Sequence, residues 1–298
     1  MHPAMRGIAD LLRLHFFFAW PVLFSSGYLL ATSVYGLFSW YDLARVALIG
    51  LFGFEAGFVL NDYVDRTYDA RDVEDGKLTK YWRIFGTRPI PQGLVSPRQA
   101  LGIFVLLVAA TITLIATLPY PHSVYVLLIL IYSYGIEVFY QVRKRKQCFP
   151  LAQLAGRTDF ALFPVAGYLC LGNPDVTALL YFLFFYPFAQ AHLGANDLID
   201  VKNDRAREMN TVTTLYGLSG TSFWIAGFTG IHAVTALIFM TRLGWIAWAG
   251  ILLGLCLLIV ANWKISRSMT QDTGLKVLPL FHVTMLIYAL SIGLDAVL

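Results

Sequence analysis

QALGIFVLLVAATITLIATLPYPHSVYVLLILIYSYGI, residues 99–136, runs for thirty-eight positions without an Asp, Glu, Lys or Arg. One helix crosses a bilayer with about 20 mostly apolar residues, so the run holds two spans. Pro119 and Pro121 mark the joint, because a proline inside a helix removes a backbone hydrogen bond and crowds the preceding turn. Outward from it, similar apolar runs occupy 14–39 and 43–60 on one side and 151–171, 176–196, 220–241, 244–263 and 277–294 on the other. The expectation is an all-α polytopic membrane protein, a bundle of nine transmembrane helices. Composition agrees: 58% of the 298 residues are hydrophobic and 13% charged, against roughly 45–50% and 25% in soluble chains. No room is left for a large soluble domain.

The amino terminus and the loops at 66–98, 143–150, 201–219 and 264–276 hold nearly all the Lys and Arg, whereas the opposite face holds only Arg45 and Arg242. By the positive-inside rule the basic face is cytoplasmic, and nine spans put the carboxyl terminus on the other side. The same rule accounts for the net charge of +4 with no nucleic-acid partner. The first apolar run is too long for a signal-peptide core, so no cleaved leader is expected. Cys148, Cys170 and Cys256 are far apart with no His or Cys at ligand spacing, which excludes a disulfide framework and a zinc ribbon.

NDYVDRTYD at 61–69 and NDLIDVKND at 196–204 share the pattern N-D-x-x-D-x-x-x-D. Each lies at the cytoplasmic end of an even-numbered span, four helices apart and in one orientation. That is a parallel internal repeat, with halves at approximately 14–141 and 151–263 and a ninth helix at 277–294 completing a single domain over 1–298. On a helix, positions i, i+4 and i+8 share a face with about 40° of drift per step. Asn61, Asp65 and Asp69 therefore form one stripe, and Asn196, Asp200 and Asp204 another. Opposed carboxylates repel unless a cation lies between them, and Mg²⁺ suits, being a hard ion that binds a few carboxylates together with water and phosphate oxygens. Arg66, Lys202 and Arg205, beside the stripes, are candidates for the remaining phosphate oxygens. The inferred ligand is a diphosphate bridged to the protein by metal. One Asp at a helix end marks only the membrane interface; six matched positions in two copies point to function.

At these residues the sequence resembles the UbiA superfamily of intramembrane prenyltransferases. The likeness runs nearly end to end, and Thr87-Arg88-Pro89-Ile90-Pro91-Gln92-Gly93 is similar to that family's R-P-x-P-x-G loop. Tyr132-Ser133 with the basic run at 143–146 is similar to the end of its fourth helix. The resemblance implies Mg²⁺ held by Asn61, Asp65, Asp69, Asp200 and Asp204, with Asn196 and Asp197 in support, and Arg88 on the diphosphate. It also implies a prenyl diphosphate donor, a small-molecule or lipid acceptor and surrounding membrane lipid as partners. Two features depart from the pattern: the stretch from Asp69 to Arg88 is long, and helix five carries Arg157-Thr158-Asp159.

A prenyl diphosphate reacts by ionising its allylic C–O bond, so the site must stabilise the charge that develops on the leaving group. Asp65 and Asp200, in the middle of the two motifs, are the expected indispensable acids. His192, four residues before Asn196 on the same stripe, is a candidate base for the proton an acceptor loses, or a histidine hydrogen-bonded within the bundle. Tyr132 is a candidate phosphate donor or an interface anchor. Arg143, first of the basic run, is a candidate diphosphate contact in a segment otherwise explained by topology. Glu55 falls about 120° off the first stripe and is left out. Arg157 and Asp159, two apart, point to different faces and to separate partners. Two alternatives use the same acids: a terpene cyclase of the same superfamily, and a secondary transporter, whose site is expected nearer the midplane.

Overall fold

The computed structural model describes residues 2–298, which form twelve α-helices and no strand. α1 (Pro3–Leu11) and a 3₁₀ turn at Leu14–Phe16 lead into α2 (Ala19–Tyr35) and α3 (Trp40–Asp69). Then come α4 (Leu78–Trp82), α5 (Pro97–Ala116), α6 (His122–Arg143), α7 (Leu151–Gly156), α8 (Thr158–Leu169), α9 (Val176–Ala206), α10 (Val212–Met240), α11 (Trp245–Arg267) and α12 (Gln271–Val297). Eight helices among the described residues are long and apolar enough to cross a membrane. The expected fifth span, 151–171, is in two pieces of 6 and 12 residues, neither long enough alone. The break falls at Arg157, whose φ of −79° and ψ of 2° leave the helical region, where Arg157, Thr158 and Asp159 interrupt the apolar run.

The second and sixth spans extend well beyond 60 and 196. α3 has 30 residues and α9 has 31, each about 45 Å at 1.5 Å per residue, against a hydrocarbon thickness of about 30 Å. The extra turns carry the acidic motifs out of the apolar layer while keeping them helical. Both helices start on side-chain caps, Ser39 accepting from the Asp42 N–H and Asp175 from the Ala178 N–H. Arg66 and Arg205 occupy their last turns, where a cation suits the negative end of the helix dipole.

α9 is the central helix, packed against α8, α10 and α12, with Tyr181, Phe184, Phe185 and Phe188 fully buried. α5, α6 and α11 are peripheral and show Val105, Leu106, Leu128, Ile131 and Ile259 at the surface, the faces that meet lipid. α2 and α8 approach until backbone touches backbone: a Cβ at Gly27 would overlap the Pro164 carbonyl, and one at Gly167 the Phe24 carbonyl. Residues 70–87, with α4 inside them, fold back over the end of the bundle that carries the C-terminal ends of α3 and α9. The Asn203 Oδ1 accepts from the Val73 and Glu74 N–H groups, both at 3.0 Å, and the Tyr81 hydroxyl lies 2.6 Å from His282 Nδ1.

Candidate active site

The C-terminal ends of α3 and α9 open into one cavity of about 270 Å³. Asn61, Asp65 and Asp69 line one side, and Asn196, Asp200 and Asp204 the other, as the period of the helix requires, with Asp197 also at the wall. Both stripes therefore share a chamber. Its deeper wall is apolar and aromatic, with Trp20 stacked on Phe54 at 3.8 Å and Phe58 and Phe163 edge-on to Phe54.

Basic side chains stand among the carboxylates. Lys144 Nζ is 2.9 Å from Asp65 Oδ2 and Arg145 2.8 Å from Asp65 Oδ1. Arg88 bonds Asp69 at 3.1 Å and Asp72 at 2.9 Å. Arg207 contacts Asp72, lies 3.4 Å from Asp69 and 3.5 Å from Asp200, and so bridges the two motifs. Burial works against both guanidinium cations, yet the surrounding carboxylates outweigh it and raise the pKa of Arg88, through Asp69 first, and of Arg207, through Asp200 first. Both stay charged at any working pH. Asp62 has a structural task, pairing with Arg13 at 3.1 Å and Arg83 at 2.8 Å. Asp10 fixes the loop that delivers Arg88, accepting from the Phe85 and Thr87 N–H groups at 2.8 Å.

Of the basic and hydroxyl candidates from the sequence, only Arg88 lines the cavity. Arg66 bonds the Tyr63 carbonyl at 2.6 Å, Lys202 reaches Glu74 at 3.3 Å, and Tyr132 is 2.7 Å from the Thr158 hydroxyl on the lipid side. Arg143 and Arg205 are exposed. The reason is phase: one residue along a helix is a turn of about 100°, so Arg66 leaves the Asp65 face, and Lys144 takes the place considered for Arg143. His192 lines the cavity and is 3.0 Å from His282. Lys144, Arg207, Asp72, Glu137 and Trp82 join the site without having been singled out. Lys144 was visible only as part of a basic run, Arg207 falls seven residues after Asp200 and so on the same helix face, and nothing local in the sequence marks the other three. Arg157 and Asp159 both reach this cavity, because the helix breaks between α7 and α8; the two-face expectation assumed an unbroken helix.

The ligand chemistry suits a hard divalent ion, since every motif side chain offers oxygen. Asn61 is oriented for it: its Nδ2 donates to Glu137 Oε1 at 2.7 Å, leaving its Oδ1 for the cavity. Asp197 and Asp204 each have one oxygen tied, to the Val212 N–H at 3.0 Å and the Thr211 hydroxyl at 2.9 Å. Among the described residues no three His, Cys, Asp or Glu side chains already converge at ligand distance. Cations hold the carboxylates apart.

A membrane bundle with paired acidic motifs on one chamber defines a class, and sequence comparison gives its family. A profile of the UbiA prenyltransferase family matches residues 18–287, and the chain belongs to that family. A digeranylgeranylglyceryl phosphate synthase from Natronomonas pharaonis is 26% identical over 244 residues, 81% of this chain and 82% of that one. A UbiA homolog from Aeropyrum pernix K1 superposes with a TM-score of 0.75 at 18% identity, over 94% of this chain and 98% of that one. A UbiA homolog from Archaeoglobus fulgidus bound to GPP and Mg²⁺ superposes at 0.67 with 14% identity, over 96% and 99%. The protein is an integral, multi-pass membrane prenyltransferase.

Proposed function

We propose that this chain transfers a prenyl group from a prenyl diphosphate to a lipophilic acceptor, at the cytoplasmic end of one domain built as a parallel repeat. The observation that carries this reading is the shared chamber: both acidic motifs and their cations lie at one end, and an apolar aromatic wall at the other. Asn61, Asp65, Asp69, Asp200 and Asp204 are the residues that would hold Mg²⁺, with Asn196 and Asp197 beside them. Bound there, Mg²⁺ supplies neutralisation of the diphosphate as its charge develops.

The chain's own residues do the rest. Arg88, Lys144 and Arg207, which stand among the carboxylates, would bind diphosphate oxygens with charge-assisted hydrogen bonds. The allylic C–O bond breaks, diphosphate leaves with the electron pair, and a new bond forms from the acceptor to the prenyl carbon. His192 takes the proton that the acceptor loses. Trp20, Phe54 and Phe58 surround the prenyl chain, exclude water and offer π-faces to the cationic carbon. The cytoplasmic side is assigned from the basic loops.

The test is incubation of membranes containing the protein with labelled geranyl diphosphate, Mg²⁺ and a panel of acceptors, with products identified by mass. Unchanged turnover in excess EDTA refutes the metal assignment. A cyclised product formed equally without any acceptor replaces transfer by cyclisation.

A further inference from the structure

Every fourth residue of α3, from the acidic motif inward, lines the cavity: Asp69, Asp65, Asn61, Gly57, Gly53 and Ile49. The series passes from carboxylates through an amide to two glycines and ends on a bulky side chain. A Cβ at Gly57 would meet nothing within 4 Å, and one at Gly53 only Thr111 and Leu130, at 3.6 and 3.7 Å. The room that side chains would fill there belongs to the cavity instead. At its far end Ile49, Ile115 and Val126 all line it, each 2% exposed, and they belong to one packed cluster.

The walls between mouth and floor are tied together. On one side α6 is bonded to α3 at two levels, Asn61 to Glu137 at 2.7 Å and the Tyr134 hydroxyl to the Gly53 carbonyl at 3.0 Å. On the other it is bonded to α8, through Tyr132 and Thr158 at 2.7 Å and through His122 Nδ1, 3.1 Å from the Leu169 and Gly172 carbonyls. Phe24 of α2 closes against α3, where a Cβ at Gly50 would stand 2.4 Å from its own. Behind the floor, one turn beyond Ile49, Arg45 donates to the Thr117 carbonyl at 2.7 Å and pins α3 to the end of α5. A tail running down this tunnel meets a backed floor.

Positions 61 and 49 are twelve residues apart on α3, about 18 Å at 1.5 Å per residue. Each isoprene unit adds four C–C bonds of about 1.5 Å, or roughly 4–5 Å of extended chain. We propose that Ile49, Ile115 and Val126 are the stop that sets donor chain length, and that the donor carries no more than about four isoprene units. The inference rests on the prenyl-transfer reading. It adds a limit that the acidic motifs do not impose, because a diphosphate is the same whatever the tail.

The test uses the intact protein in nanodiscs with Mg²⁺ and thiolodiphosphates, donor analogues that resist ionisation. Geranyl, farnesyl, geranylgeranyl, geranylfarnesyl and octaprenyl analogues, at equal mole fraction in the lipid, each compete with tritiated geranyl thiolodiphosphate. Affinity is expected to rise with chain length as apolar surface is buried, to peak at geranylgeranyl, and to fall at least about tenfold by octaprenyl, which overfills the tunnel. Gly53→Leu places a second stop about 12 Å below Asn61 and is expected to move the peak down to geranyl. Ile49→Ala combined with Val126→Ala lowers the floor and is expected to move it up to geranylfarnesyl. A side chain that merely supported the fold would weaken all lengths alike and leave the peak where it was. Octaprenyl binding as tightly as geranylgeranyl in the wild type overturns the stop without recourse to any variant. A peak at the same length in both variants overturns its assignment to these residues. Failure of the wild type to bind any analogue of the series refutes the prenyl-transfer reading itself, an outcome distinct from a series that binds without a peak.

Discussion

Asp65 is held by two cations, Lys144 and Arg145, and Asp200 by the Asn203 amide at 2.9 Å and by Arg207. Removing a whole carboxylate would strand buried positive charge, at about 3–5 kcal/mol for a broken buried pair, and confuse folding with function. Asp65→Asn and Asp200→Asn also remove the charge but keep the shape and an oxygen that still accepts from the neighbouring cations, so less of the loss falls on folding. Each is expected to nearly abolish geranyl transfer while leaving the detergent-solubilised protein monodisperse by size exclusion; normal turnover in either contradicts a metal site shared by both motifs. Arg88→Ala acts on a different substrate parameter. A charge-assisted contact to diphosphate is worth about 1.5–3 kcal/mol, or about ten- to a hundredfold in kcat/KM for the donor. The acceptor KM is expected to stay nearly constant, and steady-state kinetics with each substrate varied separately reads the split. An Arg88→Ala enzyme with normal donor kinetics would make residues 87–93 a connector only.

The helices show where sequence reasoning reaches and where it stops. Apolar runs and prolines locate α2, α3, α5, α6 and α9–α12, because burial in lipid is a local property of each run. The i, i+4, i+8 spacing places Asn61, Asp65 and Asp69 on one face for the same reason. Asp72 and His282 are different: they join the site only through the packing of residues 70–87 on α9 and α12, and no periodicity announces a long-range contact. The break at Arg157 escaped for a related reason, since 151–171 is apolar enough to read as one span and only the cavity explains its polar insertion. Packing also fixes α2 against α8, where Gly167 meets the Phe24 backbone. Gly167→Ala must push the two helices apart, and overpacking of this kind typically destabilises by about 1–3 kcal/mol. A lower melting temperature in detergent is the expected outcome, and Gly102→Ala, which has open space around it, serves as the control. Equal melting of the two variants would mean that α2 and α8 are free to separate.

For the whole molecule, the distribution of basic residues gives the expected orientation. A cysteine at exposed position 205, in a background with Cys148, Cys170 and Cys256 replaced, is expected to react with a membrane-impermeant maleimide from the cytoplasmic side only; labelling from the other side of sealed vesicles reverses the assignment. Fold stability and ion supply are a separate matter. The internal ion pairs balance the acidic motifs within the chain, in contrast to small zinc domains that unfold without their metal. Melting curves in EDTA and in Mg²⁺, both without donor, are therefore expected to coincide, and a large drop in EDTA would show the ion to be structural. Arg207 bridging Asp69, Asp72 and Asp200 has a physiological corollary. A cell short of magnesium would keep its full complement of this protein, correctly inserted, and lose only its rate, which returns as soon as the ion does without new synthesis.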